Sequence, residues 1–252
     1  MRASVGRDGR DDFASSADLA PVRNALISLP HTRRPTALTD INPDARPHIP
    51  FAVTLLGMAI LATFLLTGQW NVDASEGLYE RFGVIPMRYE PHSPYPFNST
   101  ADAALPLFTH VFMHAGLPHI FMNGLAYVQA APIVAWRMGG ARFLALFFLS
   151  ALGGALAFIL INPHSQIAAI GASGAICGLF AALFLAMRPT PQQALADPRV
   201  RNAMLMFLGI NVVLFAILPV GIAWQAHLGG FITGAVAYLV LAPRKRMAGP
   251  WA

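Results

Sequence analysis

Four long stretches of this chain carry no Asp, Glu, Lys or Arg: residues 47–72, 103–136, 143–187 and 202–243. That spacing constrains the fold more than any motif does. A helix rises 1.5 Å per residue, so crossing a hydrocarbon layer of ~30 Å takes about 20 apolar residues. The first two stretches each hold one such span. The last two, of 45 and 42 residues, are interrupted near their middles by Asn162-Pro163 and by Leu218-Pro219-Val220-Gly221. Each therefore reads as two spans joined by a short turn. Six spans are expected, at residues 50–68, 117–136, 143–162, 167–187, 202–219 and 222–242. Composition agrees, with 12% charged residues where soluble domains carry about 25%.

The net charge of +5 raises the question of a nucleic-acid partner, and the placement of the basic residues argues against one. Arg33, Arg34 and Arg46 precede the first span, and Arg137 and Arg142 separate the second from the third. Arg188, Arg199 and Arg201 lie between the fourth and fifth, and Arg244, Lys245 and Arg246 follow the sixth. The other connections hold no Lys or Arg, except 69–109, where two arginines face five acidic residues. Since spans alternate sides, every basic cluster falls on one side, which the positive-inside rule makes cytoplasmic. The basic balance reports topology, with both termini inside. Residues 1–47 lack apolar periodicity and are expected to be a disordered cytoplasmic tail. Residues 48–243 form the membrane domain and 244–252 a short cytoplasmic tail. No run resembles a cleavable signal peptide, so the first span is expected to serve as an uncleaved anchor.

Polar groups at membrane depth are functional candidates because hydrocarbon makes them expensive. The second span and its approach contain His110, His114, His119 and Asn123, the fourth contains Ser173, and the sixth begins with His227. These three spans enter from the same, extracytoplasmic side. Counted at 1.5 Å per residue, His119, Asn123, Ser173 and His227 come to one level, roughly 5–10 Å below the outer surface. His119 and Asn123 also share a helix face as an i, i+4 pair. Gly171, Gly174 and Gly178 on the fourth span and Gly229, Gly230 and Gly234 on the sixth allow backbones to approach closely.

The absences narrow the chemistry. Between Ala103 and the C-terminus the only acidic residue is Asp197, between the fourth and fifth spans. A Ser-His-Asp triad, a two-aspartate site and a His-Glu-x-x-His zinc site are all lacking. A hydrolase built here has a Ser–His dyad to work with, and His119 and Asn123 to supply hydrogen bonds to a developing oxyanion. Two other readings stay open on the residues alone. The histidines His110, His114, His119 and His227 suit a haem- or metal-binding membrane protein, and Ser173 among glycines suits helix packing. Cys177, the single cysteine, lies on the side of the fourth span that carries Ser173.

Three motifs carry a resemblance. Gly171-x-Ser173-Gly174, His119-x-x-x-Asn123 and Ala226-His227-x-x-Gly230, with FTHVFMHAGLPHIFMN at 108–123 and Gly139–Leu144, resemble the rhomboid intramembrane serine proteases over residues 50–242. The resemblance implies a six-helix bundle with Ser173 as nucleophile and His227 as general base. It makes His119, Asn123 and the Ser173 backbone amide an oxyanion hole, and Gly171 and Gly174 points of close backbone approach. His110, His114 and Cys177 would be supporting residues, and 69–109 the family's first loop. It implies no metal or other cofactor. Its expected partners are the lipid bilayer and single-span membrane proteins, and its expected place is the bacterial inner membrane, the site opening outward. A catalytically inactive helix-binding relative is the alternative. Two departures stand out. Many members carry an aromatic four residues after the serine that stacks on the histidine, where this chain has Cys177. The frequent acidic residue near the end of the second helix is replaced by Ala135 and Trp136.

Overall fold

The computed structural model describes residues 49–217 and 223–243. The two expected tails and the turn at 218–221 lie outside the described residues. Among those residues the regular structure is helical, with one isolated antiparallel bridge, Val84 to Ala169. Six longer helices appear: α1 (Phe51–Leu66), α4 (Gly116–Met138), α5 (Gly140–Ile161), α6 (Ser173–Ala186), α8 (Pro198–Ile217) and α9 (Trp224–Leu241). The connection after α1 holds α2 (Glu76–Phe82) and α3 (Thr100–Thr109), and α7 (Pro191–Ala196) precedes α8. The stretch 69–109 is thus folded, its α3 capped by Ser99 Oγ, which accepts the Asp102 N–H at 3.1 Å. Among the described residues two helices, α5 and α9, are long and apolar enough to cross a bilayer, and α1 and α6 are shorter apolar helices.

The core is built on α6. Gly174 through Leu179 are all buried, as are Ala181, Ala182 and Phe184 through Ala186. Helices α5, α6 and α9 pack on one another, with α9 at backbone distance from both α5 and α6, because glycines line the seams. A Cβ on Gly234 would strike the Gly178 backbone, and one on Gly154 would lie 2.6 Å from the Ala226 carbonyl oxygen. No side chain larger than hydrogen fits there, so the backbones pack directly. The outer surfaces of the bundle are apolar instead of charged. Leu55 and Met58 on α1, Phe121 on α4, and Val236 and Val240 on α9 are all exposed. That is the pattern of a molecule whose solvent is lipid.

Two helix starts differ from the sequence expectation: α8 begins at Pro198, four residues before the expected 202, so that Arg199 and Arg201 lie within it, and α6 begins late. The fourth span was expected to be helical from residue 167, but the helix begins at Ser173. Ala169 instead exchanges both backbone hydrogen bonds with Val84, at 2.9 and 3.0 Å, and Gly171 N–H donates to the His110 carbonyl at 2.8 Å. Gly171 has φ +103°, outside the helical region. These groups are committed to the connection after α1, so they cannot join an α-helical ladder. Nearby, His164 Nδ1 and Glu90 Oε1 meet at 2.8 Å, a second tie between the same two connections.

Candidate active site

Three helix starts converge on one place. Ser173 is the first residue of α6, His227 sits in the first turn of α9, and His119 in the first turn of α4 with Asn123 one turn on. Ser173 therefore reaches the common level at the end of an extended segment, not two turns inside a helix. Its Oγ lies 2.8 Å from His227 Nε2.

Gly171 shapes the neighbouring space. A Cβ at this position would lie 2.6 Å from His119 Nε2 and 3.7 Å from Asn123 Nδ2. The absent side chain is thus the room in which those two polar ends sit beside Ser173. His119 Nδ1 accepts the Ala115 N–H at 3.3 Å. In a neutral imidazole an accepting Nδ1 puts the proton on Nε2, so His119 presents an N–H toward Gly171. Asn123 Nδ2 donates to the His119 carbonyl at 3.0 Å, which orients the amide and leaves its second N–H. Gly174 packs against α9, where a Cβ would lie 3.0 Å from the Ala226 carbonyl oxygen.

The supporting candidates separate. His110 anchors the segment before Ser173 through its backbone carbonyl, while its Nδ1 pairs with the Pro106 carbonyl at 2.9 Å. His114 is fully buried, edge-on to His119 with ring centroids 5.0 Å apart, and neither of its ring nitrogens meets a partner among the described residues. Its backbone is held at both ends, the N–H donating to Gln69 Oε1 at 2.6 Å and the carbonyl accepting from the Tyr79 hydroxyl at 3.0 Å. Burial pushes both imidazoles down from 6.5, His110 to about 4 and His114 to about 3, the second helped by neighbouring His119. Cys177 is buried with its Sγ 4.0 Å from Asn211 Oδ1.

Asn211, on α8, is absent from the residues singled out above, yet its Oδ1 lies 3.0 Å from His227 Nδ1. The criterion that selects Asn123, an uncharged polar side chain within an apolar span, selects Asn211 equally. Gln69, fully buried at the end of α1's outgoing turn, carried no such signal. Among the described residues, no three His, Cys, Asp or Glu side chains converge as metal ligands would. His227 has both ring nitrogens engaged by Ser173 and Asn211, which disfavours the haem or metal reading.

The rhomboid domain model matches residues 102–244, more than half of the chain, and includes every residue of this constellation. The chain belongs to the rhomboid family. It is 28% identical over 142 residues to Rhomboid protease GluP of Bacillus subtilis, covering 54% of this chain and 25% of that protein. It is 28% identical over 139 residues to the Putative rhomboid protease YdcA of Bacillus subtilis, covering 55% of this chain and 68% of the other. RHOMBOID-like protein 1 of Arabidopsis thaliana is 33% identical over 129 residues, 51% of this chain and 32% of that protein. The rhomboid chain described here thus spans a quarter of the first relative's length and about two thirds of the second's. In this rhomboid, α1 lies ahead of the matched region and packs on it through Tyr127, whose hydroxyl donates to the Val53 carbonyl at 2.9 Å. The family is membrane-embedded, in keeping with the apolar outer surfaces of α1, α4 and α9.

Proposed function

We propose that this rhomboid is an intramembrane serine endopeptidase that cuts single-span membrane proteins in or near their spans through a Ser173–His227 dyad. The observation that carries the reading is the 2.8 Å approach of Ser173 Oγ to His227 Nε2. At that distance His227 takes the hydroxyl proton as Oγ attacks the scissile carbonyl carbon, then delivers it to the departing amine. Water follows by the same route: His227 accepts its proton, hydroxide attacks the acyl-enzyme, and Ser173 leaves reprotonated. The negative charge that develops on the carbonyl oxygen in each half is met by the His119 Nε2–H, the free Asn123 N–H and the Ser173 backbone N–H. Ser173 opens α6, so helix geometry provides its N–H with no intrahelical acceptor. Gly171 keeps the space before these donors clear.

The surrounding organisation belongs to the same proposal. Residues 48–243 form six spans with both termini cytoplasmic, the tails being 1–47 and 244–252. The site opens toward the extracytoplasmic face of a bacterial inner membrane. The basic residues between spans and the level shared by the three helix starts support that orientation. The test is labelling of the purified protein with a fluorophosphonate, paired with cleavage of a model single-span substrate in detergent or vesicles. Wild type is expected to label and cleave, and Ser173→Ala to do neither. Equal labelling of the two overturns the assignment.

A further inference from the structure

His227 is gripped from both sides. Nε2 faces Ser173 at 2.8 Å, and Nδ1 faces Oδ1 of Asn211 at 3.0 Å. The Asn211 amide has a defined orientation, because its Nδ2 donates to the Phe207 carbonyl one turn earlier, at 2.9 Å. With the nitrogen end occupied by an acceptor, the end presented to His227 is oxygen, which only accepts. The proton in the contact therefore sits on His227 Nδ1. In a neutral imidazole that leaves the lone pair on Nε2, the nitrogen that faces the serine hydroxyl.

The turn that carries Asn211 is itself fixed. Phe207 stacks on Phe180 of α6, with centroids 4.6 Å apart and an interplanar angle of 25°, and on Phe231 of α9, at 6.0 Å and 23°. These rings tie α8 to the two helices that bear Ser173 and His227. The Cys177 thiol, 4.0 Å from the same Oδ1, is a weak second donor, and a carbonyl oxygen has two lone pairs to serve both. An amide also accepts the imidazole N–H without the desolvation cost of a buried carboxylate.

We propose that Asn211 is a positioning residue for His227, fixing its tautomer and ring orientation in a site where the sequence has Cys177 in place of the family's stacking aromatic and, beyond Ala103, no acid but Asp197. The proposal rests on the protease reading above, because the tautomer matters only if Nε2 accepts the Ser173 proton.

The test compares Asn211→Ala, Asn211→Leu and Asn211→Asp with wild type for fluorophosphonate labelling rate, kcat and KM on a model single-span substrate, and thermal unfolding. The aspartate keeps a carbonyl oxygen at the same place, the leucine keeps comparable volume without an acceptor, and the alanine keeps neither. The expected result is a loss on the order of tenfold or more in kcat and labelling rate for Ala and Leu. KM and unfolding temperature stay near wild type, and Asp recovers most of the lost rate. Ala and Leu within twofold of wild type overturn the proposal. So does equal impairment of all three, or a loss that tracks lowered unfolding temperature, since those mark a packing role. Ser173→Ala and His227→Ala run alongside. If both are silent while Asn211→Ala labels normally, the Asn211 role alone fails. If Ser173→Ala labels like wild type, the protease reading fails and the Asn211 role with it.

Discussion

Ser173 and His227, 54 residues apart in the chain, meet at 2.8 Å through the first turns of α6 and α9. The contact exists because Gly230, one turn beyond His227, rests on the backbone of Gly174, next to Ser173. His227→Ala removes the base while leaving that glycine seam intact. Cleavage and fluorophosphonate labelling are expected to fall to background, with an unfolding temperature close to wild type. Cleavage retained in this variant would mean that another group accepts the serine proton.

The seam gives a sharper structural prediction. A Cβ on Gly230 would collide with the Gly174 carbonyl oxygen, which is backbone and cannot rotate away. Gly230→Ala is expected to cost about 1–3 kcal/mol through overpacking and to part Ser173 from His227, so that thermal stability and cleavage fall together. Gly209 on α8 is the control, because a Cβ there meets nothing within 4 Å. Gly209→Ala is expected to leave cleavage unchanged. Equal effects of the two substitutions would show that helix propensity, not close approach, sets the requirement for glycine.

The oxyanion donors are redundant, so losing one should weaken the reaction without ending it. Asn123→Ala is expected to lower kcat by roughly 100-fold, about 3 kcal/mol for a single donor, with KM little altered. The His119 and Ser173 N–H groups remain. Gly171→Ala should be at least as damaging, since φ there is +103° and the new methyl would displace the His119 ring. An Asn123→Ala enzyme with unchanged kcat would remove this side chain from the oxyanion site.

His110 and His114 predict an acid sensitivity. Both imidazoles are held below 6.5 by burial, to about 4 and about 3. The unfolded chain therefore binds protons at these positions that the folded chain does not. Stability is complete above pH 6.5 and declines as pH falls from there toward 4 and below. Thermal unfolding measured from pH 8 to pH 4 should show that decline. His114→Phe should flatten part of it, because the replaced ring nitrogens have no partner among the described residues. An unchanged pH slope in this variant would remove His114 from the linkage.

Much of this protein was legible in the residues alone. The uncharged stretches that fold into the longer helices, and the positions of Ser173, His227, His119 and Asn123 near the starts of three of them, are local or additive along the chain. The glycines are legible in the same way, because small residues have few other uses in apolar helices. The absence of a membrane-depth acid followed from composition and directed attention to a dyad.

Tertiary structure decided the rest. Residues 167–172 are as apolar as a span, yet α6 begins only at Ser173, because Val84 and His110 claim the backbone groups of Ala169 and Gly171. No local pattern announces a backbone hydrogen bond to a residue more than 80 positions earlier. The missing aromatic at Cys177 left the orientation of His227 open, and the answer came from Asn211, 16 residues before it on another helix. Hydropathy is summed residue by residue and survives in one dimension. The direction in which an amide points depends on where three helices finally pack, and that is fixed only when the chain has folded.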